Sequence, residues 1–220
     1  MALSKLQYNS LNVTPSASKG IRFNSGANGF ETASAGGNLA LIKTTTLGSA
    51  AASISFVNGA SDVVLDGTYK EYIFFFNNIH PATDAVILGF NLSIDTGSNY
   101  NVAKTTTQFR AEHDEGGSAA SIVYRTANDL AQATGYQRFG DDTGNGNDES
   151  CSGYLHLFEP ANTTFAKHFV SVNMEYNSAN RATNCYAAGY ANTTSAIDAI
   201  DFKMSSGNID AGTISLYGVL

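Results

Sequence analysis

Tryptophan is absent from the 220 residues, cysteine occurs twice, proline three times, and charged residues make up only 14%. So little charge, beside 21 glycines, suits short strands joined by many turns and does not suit a helical enzyme. The charges present are unbalanced, with a formal net charge of −7. Nucleic-acid binding needs a basic stripe to neutralise phosphates, and an anionic membrane repels the same surface, so both partners are disfavoured. Cys151 and Cys185 stand too far apart for a CxxC redox or zinc motif. Two reduced or partly buried thiols fit a reducing compartment. No apolar run is long enough to cross a bilayer, and the opening Met-Ala-Leu-Ser-Lys-Leu-Gln-Tyr lacks the apolar stretch of a signal peptide. The expectation is a protein made and kept in a cytoplasm, or one that leaves inside a particle. A chain of this length can bury roughly 70% of its unfolded surface, so folding requires neither metal nor disulfide.

The most hydrophobic stretch is 69–95, YKEYIFFFNNIHPATDAVILGFNLSID. In its first half Ile73, Phe75 and Ile79 point one way and Phe74 and Phe76 the other, which predicts a central strand buried on both faces. In its second half Val86, Leu88, Phe90, Leu92 and Ile94 alternate with Ile87, Gly89, Asn91, Ser93 and Asp95. That period of two predicts a half-buried strand with the mostly polar set in water. Between them 80–84 supplies a break at Pro81, which has no amide to donate and biases His80 away from helix.

Residues 1–38 are polar and rich in Gly, Ser and Asn, with spaced apolar anchors at Leu3, Leu6, Tyr8, Leu11, Ile21, Phe23 and Phe30. Such a segment forms no core alone, and the anchors point to an extended attachment arm docked on a partner surface. Residues 39–220 carry about ten strand signals at regular spacing, which predicts an antiparallel β-sandwich, a jelly roll by preference. Within it Phe109 and Ala111 are expected to face inward. So are Val170, Val172, Met174 and Tyr176, with Ser171, Asn173 and Glu175 in water. Tyr186, Ala188 and Tyr190 continue that inward pattern, and ANDLAQA at 127–133 is the one candidate helical turn.

Chemistry is sparse. No GxSxG, HExxH, P-loop or GxGxxG pattern occurs, and His80, His113, His156 and His168 lack the spacing of a metal site. The acidic surface loop at 140–150 offers Asp141, Asp142, Asn145, Asn147, Asp148 and Glu149 as oxygen ligands for calcium or contacts for a receptor. Its glycines do not fall where an EF-hand requires them, so a solvated loop is the simpler reading. Paired carboxylates for glycoside hydrolysis have no defined separation here. No catalytic residue, cofactor or metal is expected.

Four stretches carry a resemblance: LALIKTTTLGSAAASISF at 39–56, YIFFFNNIHPATDAVILGF at 72–90, GYLHLFEPANTTFAKH at 153–168 and KMSSGNIDAGTISLYGV at 203–219. Together they resemble small β-sandwich virion proteins of tailed bacteriophages, of tail-fibre or decoration type, particularly in marine phages. The matching positions are Asn77, Asn78, Pro81, Ala82, Thr83 and Asp84 in a turn, then Leu157 and Pro160 at a strand end. The closing motif is Ser206, Gly207, Asn208, Ile209, Gly212, Thr213, Leu216, Tyr217 and Gly218. The resemblance implies a structural virion protein assembled in the host cytoplasm, and carries over no catalytic residues. The first expectation is a fibre-type component held by its N-terminal arm to other virion proteins and meeting a host-surface glycan or protein. Capsid decoration is the alternative, and a jelly-roll carbohydrate-binding or carbohydrate-degrading protein the third. A homotrimer is expected, because such modules commonly act on three-fold axes and the Phe and Tyr residues exceed what one core needs.

Overall fold

The computed structural model describes Val13, residues 19–34 and residues 38–220. The chain divides into two compact units, Met1–Asn38 and Leu39–Leu220. In the first, β1 (Lys19–Phe23) and β2 (Phe30–Ser34) form an antiparallel hairpin. Its loop closes through Asn24 N–H to Gly29 O at 2.9 Å, with Ala27 at φ 51°. The anchors Phe23 and Phe30 stack on each other at 5.0 Å, and both stay exposed, as does Ile21. This part of the expected arm is therefore a local hairpin that spends its aromatics partly on itself. Leu3, Leu6, Tyr8 and Leu11 lie outside the described residues.

The second unit is built of β3 (Leu39–Thr46), β4 (Ile54–Val57), β5 (Glu71–Pro81), β6 (Leu88–Ser93), β7 (Lys104–Asp114), β8 (Ala120–Tyr124), β9 (Gln137–Arg138), β10 (Cys151–Phe158), β11 (Lys167–Asn177), β12 (Arg181–Ala191), β13 (Ala199–Met204) and β14 (Ile209–Val219). All pairings are antiparallel, and no helix occurs among the described residues. The expected turn at 127–133 is irregular and not helical. One sheet runs β3-β14-β5-β10-β11-β12-β7-β8 and the other β4-β13-β6-β9. They pack as a sandwich. Eight strands over four do not match the jelly roll expected from the strand spacing, which shares eight strands between two layers.

Aromatic side chains lock the two layers together. Phe202 of β13 sits 5.3 Å from Phe74 and 5.4 Å from Phe76, and Phe56 of β4 meets Phe74 edge-on at 5.3 Å. Phe90 of β6 meets Phe169 edge-on at 5.0 Å and stacks on Phe139 at 5.1 Å. Burying each ring is worth roughly 1.5–3 kcal/mol, and an aromatic pair adds about 0.5–1.5.

Three expectations about faces change. Ile79 lies with Tyr72, Phe74 and Phe76 in the core, not with Ile73 and Phe75, which are half-buried on the opposite side. The cause is a bulge: Gly153 pairs with Phe76 but Cys151 with Ile79, so β5 carries one extra residue. Asn78 turns the corner at φ 49°, with Gly212 opposite at φ 123° on β14. A β-carbon on Gly212 would lie 2.7 Å from Asn78 O.

Strand β6 is buried on both faces. The loop at 95–103 and the chain at 134–136 cover its polar side, where Asn91 Nδ2 donates to Tyr100 O and Thr134 O. Lys104, fully buried and held to about 7 by that burial, donates to Asn91 Oδ1 and to Val102 O.

The third change is an inversion. On β11 it is Lys167, Phe169, Ser171, Asn173 and Glu175 that are buried, while Val170 and Met174 are exposed. On β12 Cys185 and Ala187 are buried and Tyr186 exposed; on β7 Thr106 and Gln108 face in and Phe109 out. Alternation shows which side chains share a face, and what stacks on the sheet selects the inner one. This inversion is directly testable. Ser171→Asp should destabilise by about 2–4 kcal/mol because it buries an unpaired carboxylate. Val170→Asp should stay within about 1 kcal/mol of wild type in urea melts, and the reverse order would restore the expected faces.

Candidate functional site

The apolar core thins out beyond β11. Of the inward residues on β12 and β7, only Ala191 belongs to the main apolar cluster. The segment 125–149 covers this half of the large sheet through polar side chains. Gln108 Nε2 donates to Gly140 O at 3.0 Å, and Asp141, 1% exposed, takes salt bridges from Arg110 and Arg125. Arg110 and Arg181 in turn hold Glu112 at 3.0 and 3.2 Å. Asp141 is thus no surface ligand. Two arginines on or near β7 draw it inward, and a buried carboxylate requires such partners.

Glu175 is the other fixed point. Its Oε1 accepts the backbone N–H groups of Asp141 and Asp142 at 2.8 and 3.1 Å, and its Oε2 accepts Thr143 Oγ1–H at 2.9 Å. Burial pushes its carboxyl up to about 7, and these donors offset only part of that. Thr143 continues the clamp by bridging Val86 on one side and Asn177 on the other. The rest of the acidic loop disperses. Asn145 N–H reaches Asp84 at 3.2 Å, Glu149 accepts Gly146 N–H at 2.5 Å, and Asn147 and Asp148 line an open groove of about 580 Å³ with His80 and Asp210. Among the described residues, no three His, Cys, Asp or Glu side chains are placed to share a metal ion.

Two histidines contact a carboxylate: His156, whose Nε2 lies 2.8 Å from Glu71 Oε2, and His80. The Nδ1 of His80 lies 2.6 Å from Asp210 Oδ1 and its Nε2 3.0 Å from Gly146 O. With an acceptor at each nitrogen the ring must donate from both. Burial opposes that protonation, but the Gly146 carbonyl and Asp210 together raise the pKa above its ordinary value. A general base needs a free Nε2, and here that atom anchors the 145–149 loop. Two more depressions flank the layers. One of about 460 Å³ is lined by His113, Met174, Tyr176 and Arg181, and one of about 360 Å³ by Tyr136, Arg138 and Lys203. In the latter Lys203 Nζ sits 4.0 Å over the Tyr136 ring.

The larger feature is the outer face of the eight-stranded sheet. Its pairings place one row across every strand: Thr44, Ser215, Phe75, Tyr154, then Val172, Tyr186, Phe109 and Tyr124. The rings of Phe109 and Tyr186 stack at 4.9 Å, and Phe75 lies between Tyr154 and Tyr217. One neighbouring row runs Leu41, Tyr217, Ile73, His156, Val170, Ala188 and Thr107. The other carries Thr46, Thr213 and Asn77, then Ser152, Met174, Asn184, Ala111 and Ile122. None of these positions is Asp, Glu, Lys or Arg. The surplus of Phe and Tyr was the one signal in the sequence for this face, and the alternation placed much of it inside.

Cys151 and Cys185 are free and buried. They sit on β10 and β12 with β11 between them, Cys151 opposite Glu175 and Cys185 opposite Asn173. Two strand spacings and a two-residue offset put their Cα atoms roughly 12 Å apart, beyond disulfide reach. Burial pushes the Cys151 thiol up to about 12. Both thiols should resist reagent in the native protein and react fully in denaturant.

Two variants test the clamp. Glu175→Ala leaves the Asp141 and Asp142 amides unpaired and should cost about 2–4 kcal/mol; Glu175→Gln keeps an oxygen for them and should cost far less. Because the folded carboxyl titrates near 7 against 4.5 in its ordinary state, its contribution is full below about 4.5 and is lost as pH rises through 7. Denaturant melts across that window should show wild type losing stability relative to Glu175→Gln. A constant difference would mean that Glu175 is ionised throughout.

No protein-family model matches the chain, and no curated protein and no solved structure matches it.

Proposed function

We propose that this protein is a non-catalytic structural component of a bacteriophage virion, a fibre-type surface module attached through residues 1–38. The observation that carries the assembly role is the outer sheet face, three rows of side chains without a formal charge in a chain of net charge −7. A face depleted of charge and rich in Phe, Tyr, Val and Met has the composition of an association surface. The resemblance of 72–90, 153–168 and 203–219 to virion proteins supplies the setting.

The residues with catalytic chemistry support the non-enzymatic part of the reading. His80 is held between Asp210 and Gly146 O, and Asp141 and Glu175 are engaged in folding the chain that covers half of the large sheet. A rigid antiparallel sandwich also suits a particle component, because its strands are cross-linked by hydrogen bonds along their whole length.

Quantitative mass spectrometry of purified virions tests the reading. The chain should be present at tens of copies per particle, and deletion of residues 1–38 should abolish incorporation while the 39–220 sandwich stays folded. Hundreds of copies would make it a head decoration protein. Absence from the particle would end the virion reading.

A further inference from the structure

We infer that the outer face of the eight-stranded sheet is the interface of a face-to-face homodimer. This deepens the assembly reading above and rests on it. Eight strands about 4.8 Å apart, crossed by three rows about 7 Å apart, make a patch of roughly 35 by 20 Å, or about 700 Å². A stable interface takes about 800 Å² from each partner. Thr, Ser, Asn and His156 take part of that patch. Its continuous apolar and aromatic part is the run Phe75, Tyr154, Val172, Tyr186, Phe109 and Tyr124 with its neighbours, the kind of patch that marks an association site. Phe109 is 44% exposed, Tyr124 50% and Met174 45%, so the patch is open to a partner at the β7–β8 end as well as at its centre.

The chemistry of the face selects a second copy as the occupant. Two chains of net charge −7 repel, and they meet most cheaply where neither presents a charge. Depletion of charge with enrichment of Tyr, Phe and Met is the composition of an interface core. The polar groups in the three rows are Tyr, Thr and Ser hydroxyls, Asn amides and the His156 ring. His156 meets Glu71 at 2.8 Å, and Thr44 with Ser215, Thr46 with Thr213 and Asn184 with Tyr186 bond within the face. Hydroxyls and amides both donate and accept, so those with capacity left can meet their own kind across a two-fold axis. Fixed charges, which steer and select a foreign partner, are absent from the rows. The rim has them: Glu71, Asp114, Glu115 and Arg181 lie just beyond the rows. Sheets stacked face to face about 10 Å apart are the same packing that forms the sandwich itself. A single face meeting itself closes as a two-fold pair, whereas the trimer expected from sequence needs two different patches on each chain.

Sedimentation velocity on the full chain at micromolar concentration should give a dimer. Val172→Glu, at the centre of the face, should weaken it by about 100-fold or more. Phe165→Glu, on an exposed loop away from the face, should leave it unchanged. Because Val172→Glu could perturb folding, hydroxyl-radical footprinting of wild type supplies a second measure. Labelling of Tyr154, Met174 and Tyr186 should fall as concentration rises through the dissociation constant. A monomer overturns the inference, including a monomer whose face is already protected by its own N-terminal residues. A trimer overturns it, and so does a dimer with unprotected Tyr154, Met174 and Tyr186. A monomer found in virions would leave the assembly reading standing; a dimer absent from virions would leave this interface and end that reading.

Discussion

Everything in the sandwich follows from a mismatch in width. The large sheet has eight strands and the small one four, so at about 4.8 Å per strand one is roughly twice as wide as the other. The small sheet brings Phe56, Phe90 and Phe202 against Phe74, Phe76 and Phe169. The small sheet does not reach across β12 and β7, and the segment 125–149, irregular apart from the two residues of β9, serves as the lid.

A lid of loop carries backbone amides and carbonyls that no sheet pairs, and burying them without partners is costly. The chain meets this with polar side chains from the sheet below. Glu175 takes the amides of Asp141 and Asp142, and Gln108 donates to the Gly140 carbonyl. Once Asp141 is drawn in, Arg110 and Arg125 must balance it. The inner face of β11, β12 and β7 carries Thr106, Gln108, Asn173, Glu175 and Thr183 beside the small Cys185 and Ala187 for this reason, with Phe169 at the edge of the aromatic core. Their other large apolar side chains are left for the other side, and the same mismatch thereby produces the apolar outer face.

The buried network and the outer face thus belong to one design, with different sensitivities. The network depends on protonation at Glu175 and on each hydrogen bond being made. The face depends on area and shape, and tolerates conservative change at any one position. Substitutions that unfold the protein and substitutions that separate it from partners should therefore map to opposite sides of the same three strands.

The sequence by itself determined the all-β class, the antiparallel sandwich and most strand positions, because a period of two in side-chain polarity survives in any packing. It also showed which residues travel together: Val170 with Val172 and Met174, Ser171 with Asn173 and Glu175. It did not reveal the bulge at Asn77–Asn78, which moves Ile79 into the core and is set by pairing with Cys151 and Gly153 on β10. Nor did it show Asp141 leaving an acidic loop for two arginines, since Arg110 and Arg125 lie 31 and 16 residues away in sequence. Which face of β7, β11 and β12 turns inward was decided only by tertiary structure. A strand's alternation is symmetric between its two sides, and only the layer stacked on it breaks that symmetry.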